Sequence, residues 1–242
     1  MKLKRIFAAV LAAAMLLSFA GCANKDTQSD SSEPAGEQTT EERTTEPQTN
    51  EDGSLVKPKN AVSVSDDVKI KTYSGTSLIE IGNRVMEPYG NAYKNMKAYA
   101  DALNRLKAEM PNTKAYCLMA PTAIEFYAPS KYNTGVSKSQ YEGMCYIYEQ
   151  LKDITPVNAY AEMAAHTDEY LYFRSDHHWT TLGAYYAYRT FAKVAGFTPV
   201  DKNTLQTGKL SPFLGLFYKD TKSTALSNDP DYVEYFIPPV NT

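Results

Sequence analysis

The sequence predicts an α/β fold, because strand-like and helix-like segments alternate along most of the chain. Residues 113–119 form an apolar, strand-like run, and residues 96–110 repeat apolar side chains at spacings of three and four, as an amphipathic helix does. A second strand-like run at 170–173 precedes a helix-like segment at 181–195. Alternation of this kind favours βαβ units. We therefore expect a three-layer sandwich whose central sheet is mostly parallel.

The boundaries of these elements follow from their end signals. Pro111 ends the helix at 96–110, and Gly196 is expected to follow the helix at 181–195 as its C′ residue. Ser137 to Gln140 is typical of a capping box, which predicts a helix that runs to Leu151. The other predicted elements are a strand at 77–81, a loop at 121–138, a short strand at 156–158 and a helix at 159–166.

The first 21 residues have the composition of a signal peptide. Three basic residues precede an apolar run from Ile6 to Phe19, which is shorter than the about 20 residues that a membrane-spanning helix needs. Phe19 to Cys22 is similar to a lipobox, in which the cysteine sulfur receives a diacylglycerol and becomes the new N-terminus. We therefore predict that residues 1–21 are removed and that Cys22 anchors the chain at the extracytoplasmic face of the membrane. The alternative is ordinary secretion, with Cys22 as a bystander.

Residues 22–55 have the composition of a disordered tether. Positions 23–55 contain ten Ser or Thr, nine acidic residues and two basic residues, which leaves too little apolar surface to offset the entropy of ordering. A flexible segment of this length reaches about 30 Å, so it serves either as a spacer or as a tail with no role beyond solubility. From residue 56 the apolar pattern continues to the end, so 56–242 is predicted to be one folded domain.

The charge of the predicted mature chain argues against nucleic acid as a partner. Without residues 1–21 the chain keeps 22 basic and 28 acidic residues, whereas phosphate binding needs clustered Lys and Arg. Membrane association is therefore expected through the lipid rather than through basic electrostatics. Cys117 and Cys145 remain besides Cys22, and either a disulfide or two buried unpaired thiols would suit a chain outside the cytoplasm.

The run Arg174 to Trp179 is the candidate site, because it contains two of the three histidines and lies between a predicted strand and a predicted helix. In open α/β sheets ligands bind outside the carboxyl ends of strands. In extended backbone, residues i and i+2 share a face, so Asp176 and His178 are expected to lie together and His177 to point elsewhere. A carboxylate beside an imidazole forms two-thirds of a hydrolase triad.

Other roles for these residues stay open at this stage. His177 would also suit a capping or packing position, and Trp179 would suit packing behind the site or stacking against a sugar. A metal site needs three or four convergent ligands, and His166 is the only further histidine. We therefore predict neither a metal nor a cofactor.

The block from Tyr172 to Tyr185 resembles the defining motif of the DHHW family. Further landmarks of that family recur in this sequence at Gly82-Asn83-Arg84, Tyr89-Gly90, Pro121-Thr122, Glu125 to Pro129, Phe213-Leu214-Gly215, Pro230-Asp231 and Pro238. The family is similar to SGNH-hydrolase-like proteins of the alginate-acetylation type, which are exported O-acetyltransferases of polysaccharides. The resemblance implies Asp176 as the orienting carboxylate and His178 as the general base. His177 then takes the variable middle position, with Arg174 and Trp179 as supporting residues.

One part of the resembled pattern is missing from this sequence. In the resembled proteins the nucleophilic serine follows a later strand, whereas Ser211, Ser223 and Ser227 follow no buried strand and no Gly-x-Ser-x-Gly elbow exists. We therefore expect an inactive site and an incomplete sheet with an exposed apolar strand edge. Two alternatives to an envelope acyltransferase or esterase follow. One is a non-catalytic glycan-binding lipoprotein, which the 19 tyrosines favour, and the other is a purely structural lipoprotein.

Overall fold

The computed structural model describes residues 48–49, 55–90, 92–134 and 137–238. The predicted signal peptide, Cys22 and most of the predicted tether lie outside the described residues. Within them the protein has a mixed α/β fold. The strands are β1 Gln48–Thr49, β2 Leu55–Val56, β3 Ile70–Thr72, β4 Ile79–Ile81, β5 Arg84–Met86, β6 Ala115–Leu118, β7 Ile154–Val157, β8 Gln206–Phe213 and β9 Asp231–Ile237. The α-helices are α1 Tyr93–Glu109, α2 Ala123–Tyr127, α3 Ser130–Thr134, α4 Gln140–Glu149, α5 Tyr160–Ala164, α6 Thr181–Ala195, α7 Leu216–Thr221 and α8 Thr224–Asn228.

Strands β6 and β7 form a parallel pair at the centre of the helical part. Cys117 of β6 lies opposite Pro156 of β7. Side chains alternate along β6, so that Cys117 meets Tyr99 of α1 while the Tyr116 ring packs 5.4 Å from the Phe191 ring of α6. Helices therefore cover both faces of this pair. The predicted strand at 113–119 agrees with β6. The predicted helices at 96–110 and 181–195 agree with α1 and α6.

The other strand pairs of the described residues are antiparallel. Strands β3, β4 and β5 form a three-stranded sheet in that order, and β8 pairs with β9 across a connection that contains α7 and α8. Strands β1 and β2 pair close to the predicted start of the domain at residue 56. Of the predicted mostly parallel sheet, the described residues form the β6–β7 pair.

The predicted strand at 170–173 is wrong. Only Tyr172 makes a β-bridge there, and its partner is Trp179 of the same motif rather than a strand of the β6–β7 sheet. The aromatic, β-prone composition of this run suits extended backbone. The chain nevertheless turns back within six residues, so the run pairs with the residues that follow it.

Two local predictions also need correction. Ser139, not Ser137, caps α4, because its side chain accepts a hydrogen bond from the Glu142 N–H at 3.3 Å. Ser137 is buried and instead accepts a bond from the Tyr89 N–H at 3.0 Å. The predicted loop at 121–138 contains the short helices α2 and α3. Gly196 does end α6 in the left-handed conformation at φ 85°, as predicted.

The main core is unusually rich in tyrosine. Four of the largest fully buried side chains are Tyr141, Tyr160, Tyr172 and Tyr186. Their hydroxyls need partners, and Tyr160, for example, donates to the buried Glu125 carboxylate at 3.0 Å. Much of the tyrosine content therefore serves packing rather than a sugar-binding surface.

Both cysteines of the described region are buried and unpaired. Burial raises the pKa of the Cys145 thiol to about 11, which leaves little reactive thiolate at neutral pH. Within the described ranges, no helix combines the length and the apolar character that crossing a membrane requires.

Candidate active site

The site motif is a tight reverse turn that is fixed at both of its ends. Tyr172 bridges to Trp179, and the Phe173 N–H donates to the His178 carbonyl at 3.3 Å. Directly afterwards, Thr180 caps α6 by accepting a bond from the Gly183 N–H at 3.2 Å. A Cβ atom on Gly183 would lie 2.4 Å from the Leu171 carbonyl oxygen, so glycine is needed for this close packing.

Asp176 and His178 face each other inside this turn. His178 Nδ1 lies 2.6 Å from Asp176 Oδ1, and the His178 backbone N–H donates to the same oxygen at 3.1 Å. The Asp176 residue is 8% exposed, whereas the His178 side chain is 66% exposed. Asp176 and His178 therefore lie together, as predicted from their spacing of two residues. A reverse turn, rather than the end of a strand, brings them together.

The second carboxylate oxygen of Asp176 is held from the far side by the start of α7. The Leu216 N–H donates to Asp176 Oδ2 at 2.9 Å. Burial by itself raises the pKa of Asp176, but the bonds from the backbone N–H groups of Leu216 and His178 and from the His178 ring outweigh it. The pKa of Asp176 consequently lies below its usual value, and the group is a carboxylate at neutral pH.

A second buried carboxylate, Asp231 of β9, organises the first half of the motif. It accepts bonds from the backbone N–H groups of Arg174 and Ser175 at 2.9 and 2.7 Å and from the Ser175 hydroxyl at 2.5 Å. Arg174 Nε also donates to it at 3.0 Å, and the Tyr170 hydroxyl bonds to it. Burial raises the pKa of Asp231, but these hydrogen bonds together bring it below its usual value.

Arg84 of β5 ties the antiparallel sheet to the motif. Its guanidinium donates to the carbonyls of Tyr172 and Phe173 at 3.1 and 2.9 Å and lies over the Tyr127 ring. The Val85 N–H also donates to the Arg174 carbonyl at 2.9 Å. The sequence motif contained Arg84 only as a landmark, so its supporting role follows from the structure.

His177 does not point away from the pair as predicted. Its ring lies 3.9 Å from the His178 ring, and its Nδ1 lies 3.7 Å from Asp176 Oδ1. The turn is tighter than extended backbone, so neighbouring side chains do not alternate fully. His177 also lines a cleft of about 230 Å³ that Met86 to Gly90, Thr122 to Ile124 and Phe217 complete.

The remaining predicted support residues have defined surroundings. Arg174 bonds to Asp229 and Asp231, so it acts within the scaffold of the motif. Trp179 is half-buried and packs against the main core, which suits the packing role. Its contacts are with protein side chains, and they favour packing over stacking against a sugar.

Asp176, His177 and His178 also have the donor set of a small metal site. One ligand atom from each lies within 4.8 Å of the others, which makes this the candidate cluster among the described residues. Three ligands are the number that catalytic zinc sites use. Here, however, Asp176 Oδ1 and His178 Nδ1 are already joined by a 2.6 Å hydrogen bond, so a metal would have to displace that bond.

Within the described ranges, no serine hydroxyl forms a hydrogen bond to His178. Ser175 is closest in sequence, but its hydroxyl donates to Asp231 and accepts from the Gly215 N–H at 3.0 Å. Ser223 caps α8, with its side chain accepting from the Leu226 N–H.

The chain is thus a mixed α/β protein in which a reverse turn presents an Asp–x–His pair to solvent. The model of the DHHW protein family matches residues 42–242, and the chain belongs to that family. A crystal structure of a DHHW family protein from Eubacterium siraeum shares 31% sequence identity with a TM-score of 0.64. That match covers 71% of this chain and 57% of the other, so the chain spans a little over half of that protein's length.

Two further solved structures match part of the chain at low identity. PatB1 of Bacillus cereus, solved with a sulfonyl adduct, is 16% identical at a TM-score of 0.52, over 71% of this chain and 58% of its own. The O-acetyltransferase domain of AlgJ from Pseudomonas putida is 14% identical at a TM-score of 0.45, over 71% and 66%. No curated protein matches the chain in a sequence search.

Proposed function

We propose that this chain contains the acid–base half of an O-acyltransferase or esterase site that acts on hydroxyl groups of cell-envelope polysaccharides. The observation that carries this proposal is the 2.6 Å bond between Asp176 Oδ1 and His178 Nδ1, with the His178 side chain largely exposed. The similarity of the DHHW family to exported polysaccharide O-acetyltransferases supports the choice of reaction. We propose their three-layer sandwich as the fold, and the parallel β6–β7 pair with α1 and α6 on its two faces supports this proposal.

The chemistry follows from the direction of that hydrogen bond. An ionised Asp176 only accepts, so Nδ1 donates and the lone pair of His178 is left on Nε2. A general base of this kind removes the proton from an attacking hydroxyl and later returns it to the leaving alkoxide, while the carboxylate orients the ring and stabilises the imidazolium. Asp176 is suited to this role because Leu216 and His178 fix both of its oxygens.

Among the described residues no serine bonds to His178 as a nucleophile would, so we propose that the 242-residue chain is inactive. A triad without its serine loses most of its rate, and only a remnant is left from other groups. For a longer protein that contains this segment, we propose the O-acyltransferase or esterase activity itself. Attachment through Cys22 and a tether at 22–55 would place the domain at the outer face of the membrane, close to envelope glycans.

A second candidate function is glycan binding without catalysis. It is favoured by the absence of a serine bond to His178 among the described residues, together with the cleft beside His177. In that case the Asp176–His178 pair would bind a sugar hydroxyl instead of moving its proton.

The test is hydrolysis of a simple acetyl ester by the 242-residue chain, compared with its His178→Ala and His166→Ala variants. His166 is the matched control, because its ring bonds to Glu169 and stacks on Tyr186 rather than pairing with Asp176. We expect negligible turnover that is the same for all three proteins. Turnover that His178→Ala abolishes and His166→Ala preserves would contradict the inactive assignment, because it would require a nucleophile elsewhere in the chain.

A further inference from the structure

The cleft that His177 lines lies beside the Asp176–His178 pair, and neither Asp176 nor His178 is among its lining residues. It has a volume of about 230 Å³, below the roughly 300–1,000 Å³ typical of pockets for drug-sized ligands. Its size therefore suits one sugar unit rather than an enclosed oligomer. His177 belongs to its wall, and the His177 ring lies 3.9 Å from that of His178, so a unit bound there would present its hydroxyls next to the base.

The wall of the cleft combines flat apolar surface with a few polar groups. Pro88, Tyr89 and Phe217 supply apolar contact, and the Phe217 ring lies 5.9 Å from that of His177. Thr122 contributes a hydroxyl that already accepts a bond from Gln140 Nε2 at 2.8 Å, which leaves its own proton available to donate. Flat rings with a few hydrogen-bonding groups are the surface that sugar rings bind.

The charge of the cleft is set by Glu87. Glu87 and His177 are the ionisable acid and base of this wall, and Glu87 forms no ion pair within the described part of the chain. No Lys or Arg is among the described residues that line this cleft, and a second carboxylate, Asp176, has Oδ1 3.7 Å from His177 Nδ1, so the fixed charges near a ligand are carboxylates. A carboxylate on the sugar would be repelled over the few ångströms of this cleft.

We propose that this cleft, formed by Glu87 to Tyr89, Thr122, His177 and Phe217, is an acceptor subsite for a neutral or N-acetylated hexose and rejects uronate chains. His177 is the positioning residue of the subsite, and it acts on the sugar rather than on the proton transfer. This inference rests on the proposed function, which supplies the glycan as ligand.

The test is to titrate the 242-residue chain with an N-acetylglucosamine tetramer and, separately, with a mannuronate tetramer. NMR or calorimetry monitors the binding. We expect the neutral tetramer to bind about tenfold or more tightly than the uronate at low salt, with the difference shrinking as salt screens Glu87. Glu87→Lys should reverse the preference. Glu109→Lys is the matched control, because it makes the same charge change at the exposed end of α1 and should leave the preference unchanged.

The role of His177 has its own readout in the same titration. His177→Ala should weaken binding of the neutral tetramer several-fold, and His177→Asn, which keeps a hydrogen-bonding group, should restore part of it. Equal binding of both tetramers, tighter binding of the uronate, or no binding of either would overturn the subsite. None of these outcomes bears on the acid–base pair, whose failure would appear in the tautomer of the His178 ring.

Discussion

Asp231 is a buried carboxylate that never reaches the surface of the candidate site, yet it holds the motif in shape. The backbone N–H groups of Arg174 and Ser175 both donate to it, and so does the Ser175 hydroxyl. Asp229, two residues earlier, binds the same Arg174 guanidinium but has a side chain that is 60% exposed. The two aspartates therefore provide a matched pair for mutation.

Asp231→Asn should lower the free energy of unfolding by about 3 kcal/mol at pH 7, because it leaves buried donors facing an amide N–H₂ and removes the buried one of the two carboxylates that pair with Arg174. Asp229→Asn should cost less than about 1 kcal/mol, as exposed ion pairs do. Urea unfolding followed by circular dichroism measures both. Equal losses for the two variants would show that burial of Asp231 is not what matters.

The lowered pKa of Asp231 predicts that the stability of the chain depends on pH. The native pKa of Asp231 lies below its usual value, so its contribution to stability is complete above the unfolded-state pKa of about 4 and is lost as the pH falls from there through the native pKa. The stability of the parent chain should thus drop on acidification more steeply than that of Asp231→Asn. Parallel curves for the two proteins in this acid range would contradict the assignment.

For single residues, the sequence predicted the Asp176–His178 contact but not the roles of Asp231 and Arg84, which hold the motif in place. The contact depends on residues two apart, and local backbone geometry determines it. Asp231 lies 56 residues beyond Ser175, and Arg84 lies 88 residues before Tyr172. Such pairings depend on tertiary packing, which no local pattern encodes. His177 was misplaced because the i, i+2 rule was applied to a turn.

At the scale of elements, the start of α7 is the part of the fold that completes the site. Gly215 packs so closely on Asp176 that a Cβ atom there would lie 2.4 Å from Asp176 Cβ and Oδ2. Its backbone φ is −85°, so the glycine is required by space and not by conformation. The next residue, Leu216, supplies the N–H that binds Asp176.

Gly215→Ala should displace α7 from Asp176 and lower the free energy of unfolding by about 2 kcal/mol, as overpacking does. Gly90→Ala is the control, because a Cβ there meets nothing within 4 Å, and its effect should stay within about 0.5 kcal/mol. Thermal unfolding of both variants measures the difference. A Gly215→Ala chain as stable as Gly90→Ala would show that α7 moves freely relative to Asp176.

The elements also show where periodicity is sufficient for prediction. Helices α1 and α6 have long amphipathic or capped sequences, and the sequence located both. The run at 170–173 has a β-prone composition but only four residues, and whether such a run joins a sheet depends on the partner available. Its partner is Trp179, which the sequence could not indicate.

At the scale of the whole molecule, one edge of β6 stands out. Among the described strands only β7 pairs with β6, and the groove beside β6 has a volume of about 200 Å³ with mostly apolar walls from α1 and β6. Leu106 of α1 lines this groove and is 56% exposed. A strand edge beside exposed apolar side chains favours association between chains.

The 242-residue chain should therefore self-associate in a concentration-dependent way, as measured by sedimentation velocity. Leu106→Glu should shift it towards monomer. Leu210→Glu is the control, because Leu210 is 62% exposed but lies on β8, away from the groove. A parent chain that stays monomeric at every concentration, or an equal effect of both variants, would contradict this use of the groove.

The predicted lipid anchor is tested separately from the fold. Cys22→Ser should release the chain from the membrane fraction, because lipid rather than basic charge is proposed to hold it there. The far-ultraviolet circular dichroism of the released domain should be unchanged, since the predicted tether separates Cys22 from the fold. Retention of Cys22→Ser in membranes after a high-salt wash would contradict the lipobox prediction.

The central claim is that Asp176 holds His178 as a base with its lone pair on Nε2. The most direct measurement is the ¹⁵N NMR spectrum of the His178 ring at about pH 8.5, some two units above the ordinary histidine pKa of about 6.5. We expect a proton on Nδ1 and a bare Nε2 in the parent chain, and loss of that preference in Asp176→Asn. A proton on Nε2, or a rapidly exchanging mixture of tautomers that Asp176→Asn leaves unchanged, would contradict it.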